Sequence, residues 1–165
     1  MKHLWLLRHA TAGGGSPDEL RRLTPRGQQE SARVAARFAE SFVTPDIVLC
    51  SPAHRTRETA ETVTAGFDPA PEIEIDEGLY LAPPGEILRA IASIGPSCSG
   101  LLVVGHNPGL ADLANELALA GGSAAHEMRA RGFPPCALAR FELDMDDWAE
   151  IDSGDTRLVD FSAEP

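Results

Sequence analysis

The sequence predicts an α/β fold, a three-layer α/β/α sandwich around a mostly parallel central sheet, and three observations carry that prediction. Residues 4–7 (LWLL) and 101–104 (LLVV) are short continuous apolar runs, the pattern of strands covered on both faces. Segments of helical period fall between the strand-like runs rather than in a separate block, as repeated β-α-β units require. Proline follows a small polar residue at Thr24-Pro25, Ser51-Pro52 and Asn107-Pro108, the signature of helix starts beyond strand ends.

In chain order, the first apolar run ends on Arg8-His9 and enters a Gly/Ser/Pro-rich loop. Thr24 reads as an N-cap and Pro25 as the first helical residue. Val34, Phe38 and Phe42 recur at steps of four with Ala35 beside them, which predicts one buried helix face. Residues 46–50 (DIVLC) form the second strand, and Ser51-Pro52 repeats the cap signal before a helix with Thr56, Ala60 and Val63 turned inward. Ile73 and Ile75 alternate with acids, as on a half-buried or edge strand. Pro84 opens a third helix with Ile87, Leu88, Ile91 and Ile94 as its apolar stripe. After the buried strand at 101–104, Asn107-Pro108 is expected to cap a fourth helix bearing Leu110, Leu113, Ala114 and Leu117. Residues 137–143 and 156–161 read as two last strands, antiparallel or at an edge. Residues 10–23 and 122–135 read as loops able to wall a site.

The chain has 165 residues, 43% hydrophobic and 24% charged, which fits one globular domain with no linker, repeat or low-complexity run to divide it. No stretch is apolar for long enough to span a membrane, and the opening MKHLWLLRH is charged too soon to serve as a secretory signal. The net charge of −11 argues against nucleic acid or anionic membranes as partners. Acidity is concentrated from residue 141 on, where nine Asp or Glu face the single Arg157, the composition of a solvated acidic surface. Cys50, Cys98 and Cys136 are odd in number and lack metal-type spacing, favouring reduced thiols in the cytoplasm.

In sheets of this class ligands bind beyond the carboxyl ends of the strands. Three predicted strands end there in polar groups: Arg8-His9, Ser51-Pro52 with Arg55 one turn on, and Gly105-His106-Asn107. Arginine offers a planar fork of donors matched to phosphate oxygens, helix N-termini add unpaired N–H groups, and histidine can act as nucleophile or proton carrier. Together these groups favour phosphoryl transfer, where positioning and charge neutralisation supply most of the catalysis. Adjacent side chains on a strand face opposite ways, so the chain must leave β geometry at Arg8-His9 for both to reach one phosphate.

The stretches LLRHA (6–10), SPAHRTRETA (51–60) and VGHNPGL (104–110), with DELRRLTPRG (18–27), resemble the signatures of the histidine phosphatase superfamily, closest to SixA-type phosphohistidine phosphatases. The similarity runs over about residues 3–120 in family order. It implies a phosphoglycerate mutase-like fold in a single domain, 1–165, without a large inserted cap. It implies that His9 attacks phosphorus and carries a transient phosphohistidine. Arg8, Arg55 and His106 would bind the phosphoryl oxygens, with no metal and no cofactor. The implied substrate is a phosphorylated protein or a small phospho-compound; oligomeric state is left open. Ala10 departs from the family's usual glycine and is tolerable unless that position needs positive φ. Three carboxylates, Glu77, Glu58 and Asp18, are candidates for a general acid, and the residues choose none of them. An imidazole leaving group needs less acid assistance than an alkoxide, so a phosphohistidine substrate fits a site without one.

Four rival readings share parts of this pattern. A cysteine phosphatase would need five residues between Cys and Arg, whereas Arg55 and Arg57 leave four and six after Cys50. Clustered metal ligands are not evident from the spacing of His9 and His106. A phosphatase for small phosphate esters and a non-catalytic phosphate-binding module both keep the same pocket. Arg57 is expected to pair with Glu61 at i+4, while His3, His54 and His126 have no identifiable partners.

Overall fold

The computed structural model describes residues 1–119 and 121–163. Strand β1 (Lys2–Arg8) is followed by a 3-10 turn (Asp18–Leu20), helix α1 (Pro25–Ala39), strand β2 (Ile47–Cys50), helix α2 (His54–Thr64) and strand β3 (Glu72–Ile75). A second 3-10 turn (Glu77–Leu79) leads to helix α3 (Pro84–Ala92), strand β4 (Gly100–Gly105), helix α4 (Gly109–Leu117) and helix α5 (Ser123–Arg131). Strand β5 (Leu138–Asp144), a third 3-10 turn (Trp148–Glu150) and strand β6 (Asp155–Ser162) complete the order.

Among the described residues the strands make one six-stranded sheet, ordered β3-β2-β4-β1-β5-β6. The pairs β3–β2, β2–β4 and β4–β1 are parallel, whereas β5 and β6 join antiparallel on the far side of β1. The continuous apolar runs explain the layering. Leu4, Leu6, Leu49, Leu101 and Val103 face α3, α4 and α5, and their neighbours Trp5, Leu7, Val48, Leu102 and Val104 face α1 and α2. Each fully buried aliphatic side chain among them contributes about 2 kcal/mol of transfer free energy. Ile73 and Ile75 stay 37% and 40% exposed because β3 is the sheet's edge.

Most predicted elements form where the periodicity places them, and Thr24 caps α1 by accepting the Gly27 N–H. Five local expectations are corrected. Phe42 is fully exposed: α1 ends at Ala39, so the next rung of its apolar face does not exist. Ser51 does not cap α2, which begins only at His54 after Ala53. Asn107 does not cap α4, whose N-cap position is Pro108. Residues 123–131, read as loop, are helix α5; its weak amphipathic pattern hid it, although Ala125 and Met128 are buried. Arg57 is exposed and, among the described residues, pairs with no carboxylate.

Candidate active site

The sheet order brings three strand ends together. β4 lies between β1 and β2, with Arg8 opposite Gly105 and Cys50 opposite Val104. Beyond the last pairs, the His9 N–H donates to Gly105 O at 3.1 Å and the Ser51 N–H to Val104 O at 3.2 Å. Arg8-His9, Ser51 and His106 therefore leave the sheet from adjacent strands, and α2 adds Arg55 in its first turn.

His9 lies just past the end of β1, where the chain is no longer extended sheet. Its Nδ1 is 2.7 Å from the Ala10 carbonyl oxygen, an acceptor only, so Nδ1 carries the proton and Nε2 keeps its lone pair. Burial first, opposed by the Ala10 hydrogen bond and assisted by the Arg55 and Arg8 guanidiniums, lowers the His9 pKa to about 4. The imidazole is thus neutral at physiological pH, as a nucleophile requires. The His9 ring centroid is 5.4 Å from that of His106.

The turn bearing His9 is tied from two sides. The Ala10 N–H donates to Thr59 Oγ1 on α2 at 3.0 Å. The Thr11 N–H and hydroxyl both donate to the buried Glu30 carboxylate on α1, each at 2.8 Å. Gly27 permits this approach, since a Cβ there would stand 2.1 Å from Thr11 O. Ala10 is fully buried and is not among the residues of positive φ, so alanine fits where the family usually has glycine.

His106 is 3% exposed at the end of β4. Its Nε2 lies 2.7 Å from Ser51 Oγ, and Arg55 Nη2 approaches its Nδ1 at 3.4 Å. A guanidinium can only donate, so Nδ1 is the bare nitrogen and Nε2–H donates to Ser51. Burial, then Arg55 and His9, lower the His106 pKa to about 3. A phosphoryl dianion entering beside it would reverse that balance and favour the protonated donor.

Arg55 is 2% exposed. Its Nη1 donates to Asp18 O at 2.9 Å and its Nη2 to Asp18 Oδ2 at 3.0 Å, while its buried Nε has no partner. Arg8 donates from Nη1 to the Phe133 carbonyl at 3.1 Å, and its buried Nε likewise has none. The same carbonyl accepts from Asn107 Nδ2 at 2.7 Å. The segment after α5 therefore forms part of the wall. Arg8, His9, Arg55 and His106 are brought together as the strand-end argument expects, with guanidinium donors left over for an oxyanion.

The three candidate acids separate clearly. Asp18 is at the site, its carboxylate accepting from Tyr80 Oη, from Arg55 and from Arg21 Nη1 at 3.0 Å. Those donors, Tyr80 first, hold its carboxyl well below the usual carboxylate range, which makes it a poor proton donor. Glu58 instead accepts the Leu23 N–H at 3.0 Å and pairs with Arg22 at 3.5 Å. Glu77 is exposed on its own short turn. Among the described residues, no group of three or more His, Cys, Asp or Glu side chains is placed to hold a metal ion.

Several participants have roles that the sequence does not mark. Tyr80 packs edge-on against His106, centroids 5.5 Å apart and planes 80° apart. It is the chain's one tyrosine, a signal that could have marked it. Ser51 has the sequence pattern of a helix cap, but its hydroxyl is taken by His106. Arg21 and Glu30 were hidden in a polar helix-start segment. Cys50 is fully buried, and burial pushes its thiol up to about 12, which disqualifies it as a phosphatase nucleophile.

The comparisons with known proteins agree with this geometry. The family model of the histidine phosphatase superfamily (branch 1) matches residues 4–80, a span that includes Arg8, His9 and Arg55. An uncharacterised protein of Mycobacterium tuberculosis (strain H37Rv) is 35% identical over 159 residues, covering 94% of this chain and 98% of the relative. The solved structure of a candidate phosphohistidine phosphatase SixA from Nakamurella multipartitia superposes with a TM-score of 0.87 at 27% identity, covering 98% of this chain and 95% of that one. Its counterpart from Agrobacterium tumefaciens gives 0.82 at 28% identity, covering 99% and 98%. The chain belongs to the histidine phosphatase superfamily, with the phosphoglycerate mutase-like α/β fold. Membership and neighbours together support a phosphatase, a hydrolase of phosphoryl groups.

Proposed function

We propose that this protein is a metal-independent phosphohistidine phosphatase in a single domain, residues 1–165, without a large inserted cap. His9 is its nucleophile, and the phosphorylated side chain of another protein is its substrate. The observation that carries this reading is the His9 imidazole itself: neutral, with Nδ1–H committed to Ala10 O and Nε2 bare, beside two arginines with unused donors.

In the first step Nε2 of His9 attacks phosphorus in line, the bond from phosphorus to the substrate nitrogen breaks, and its electron pair stays with the departing imidazole. Arg8, Arg55 and His106 bind the equatorial oxygens as charge builds on them. In the second step water attacks phospho-His9. The P–N bond returns its electrons to Nε2, the water's protons remain with phosphate, and neutral His9 is restored. Phosphohistidine is favoured over an alkyl ester because Asp18, the carboxyl bonded to Arg55, is held ionised and cannot protonate an alkoxide, while an imidazole departs without that help. Among the described residues no helix is long and apolar enough to cross a membrane, and the three cysteines are buried thiols, which suit a reducing cytoplasm.

Purified protein in excess EDTA should release phosphate from a phosphohistidine peptide, and His9→Ala should abolish release. Turnover by that variant at the native rate would overturn the mechanism.

A further inference from the structure

Asp18 carries a feature that the mechanism above leaves unused. A carboxylate has about four acceptor positions. Three are filled here, two on Oδ2 by Arg55 and Tyr80 and one on Oδ1 by Arg21. One position on Oδ1 remains. The Asp18 side chain is 42% exposed, whereas the Arg55 side chain beneath it is 3% exposed. Asp18 is therefore the solvent-facing member of the pair, within 3.0 Å of the arginine proposed to bind the phosphoryl oxygens.

We infer that Asp18 is a specificity-determining residue whose free Oδ1 position accepts a hydrogen bond from the remote ring N–H of a protonated phosphoimidazole, selecting that cationic ring over alkyl phosphate esters. This deepens the phosphohistidine reading and rests on it. A phosphoimidazole protonated on its remote nitrogen expels a neutral imidazole when P–N breaks. Unprotonated, it would have to expel an imidazolide anion. A fixed anion against the remote N–H keeps the substrate in the reactive form, and no proton has to be delivered during the step. The same anion gives an alkyl phosphate nothing, since an ester oxygen has no proton to share. Tyr80 and Arg21 serve this role by keeping the carboxylate ionised and immobile. The charged and titratable groups around Asp18 are Glu19 and Arg21 on its own segment, Arg55 on α2, Tyr80 after the second 3-10 turn and His106 just past the end of β4.

The test compares kcat/KM for a phosphohistidine peptide and for p-nitrophenyl phosphate, whose leaving group needs no proton, in the native protein, Asp18→Asn and Asp18→Glu. A charge-assisted hydrogen bond lost from the reacting complex corresponds to about a ten- to hundredfold effect. The ratio of the two kcat/KM values should fall by about that factor in Asp18→Asn and recover in part in Asp18→Glu. The basic limb of the phosphohistidine pH profile should move to lower pH in Asp18→Asn, because the remote nitrogen then loses its proton more readily. Equal losses on both substrates would overturn the inference and reduce Asp18 to a support for Arg55, as would an unchanged ratio. Native protein that hydrolyses p-nitrophenyl phosphate but not phosphohistidine would overturn the substrate reading along with the inference. The two failures are therefore distinguishable.

Discussion

His106 is buried and His9 half-buried, both as neutral rings, and that choice reaches beyond catalysis into stability. Their folded pKa values of about 4 and about 3 lie below the ordinary 6.5 of the unfolded chain. Between these limits the unfolded state binds more protons, so stability is complete above pH 6.5 and is lost as pH falls towards 4. Each histidine adds a slope approaching about 1.4 kcal/mol per pH unit in that window. Urea unfolding measured from pH 7 to 4.5 should show the loss, and His106→Asn should reduce the slope by about half. An unchanged slope would mean that His106 is not buried neutral. At this scale the sequence was readable where a motif names a residue: Arg8, His9, Arg55 and His106 are brought together as expected. Tyr80 and Ser51 were not readable. Their roles come from neighbours distant in sequence, and nothing local distinguishes a hydroxyl that caps a helix from one that holds an imidazole.

Helices α1 and α4 approach the site through glycine. A Cβ at Gly27 would stand 2.1 Å from Thr11 O, and one at Gly109 would stand 1.8 Å from Ala82 O, two residues after Tyr80. Alanine at either position forces backbone apart. Gly109→Ala should cost about 2 kcal/mol or more in urea unfolding and should also lower phosphatase activity, because α4 follows His106 directly. Wild-type stability and turnover in that variant would show that the loop simply yields. Elements were legible in proportion to their periodicity. The strands at 4–7 and 101–104 and the apolar stripe of α3 are plain in the sequence. Helix α5 is not, because it buries only Ala125 and Met128 and leaves its polar residues on several sides. The four-residue step to Phe42 overruns α1, which ends at Ala39 with Glu40 as its C-cap.

Across the whole molecule the alternation of strand and helix made the layers legible, but not the order of strands within the sheet. That order depends on β4 inserting between β1 and β2, a long-range pairing that no local pattern specifies. All three cysteines lie in the interior, 0%, 5% and 2% exposed for Cys50, Cys98 and Cys136. Alkylation by iodoacetamide should therefore be slow in the folded protein, leave phosphatase activity intact, and become rapid only on global unfolding. Rapid loss of activity on alkylation of folded protein would place a thiol in the reaction.

The position of β4 also governs when function can exist. β1 and β2 do not touch in the sheet, so a chain emerging from the ribosome with Arg8, His9 and Arg55 already made still lacks the strand that seats them side by side. His106 arrives at the end of that same strand. A chain with only its first hundred or so residues made therefore lacks both the strand and the histidine that complete the proposed site.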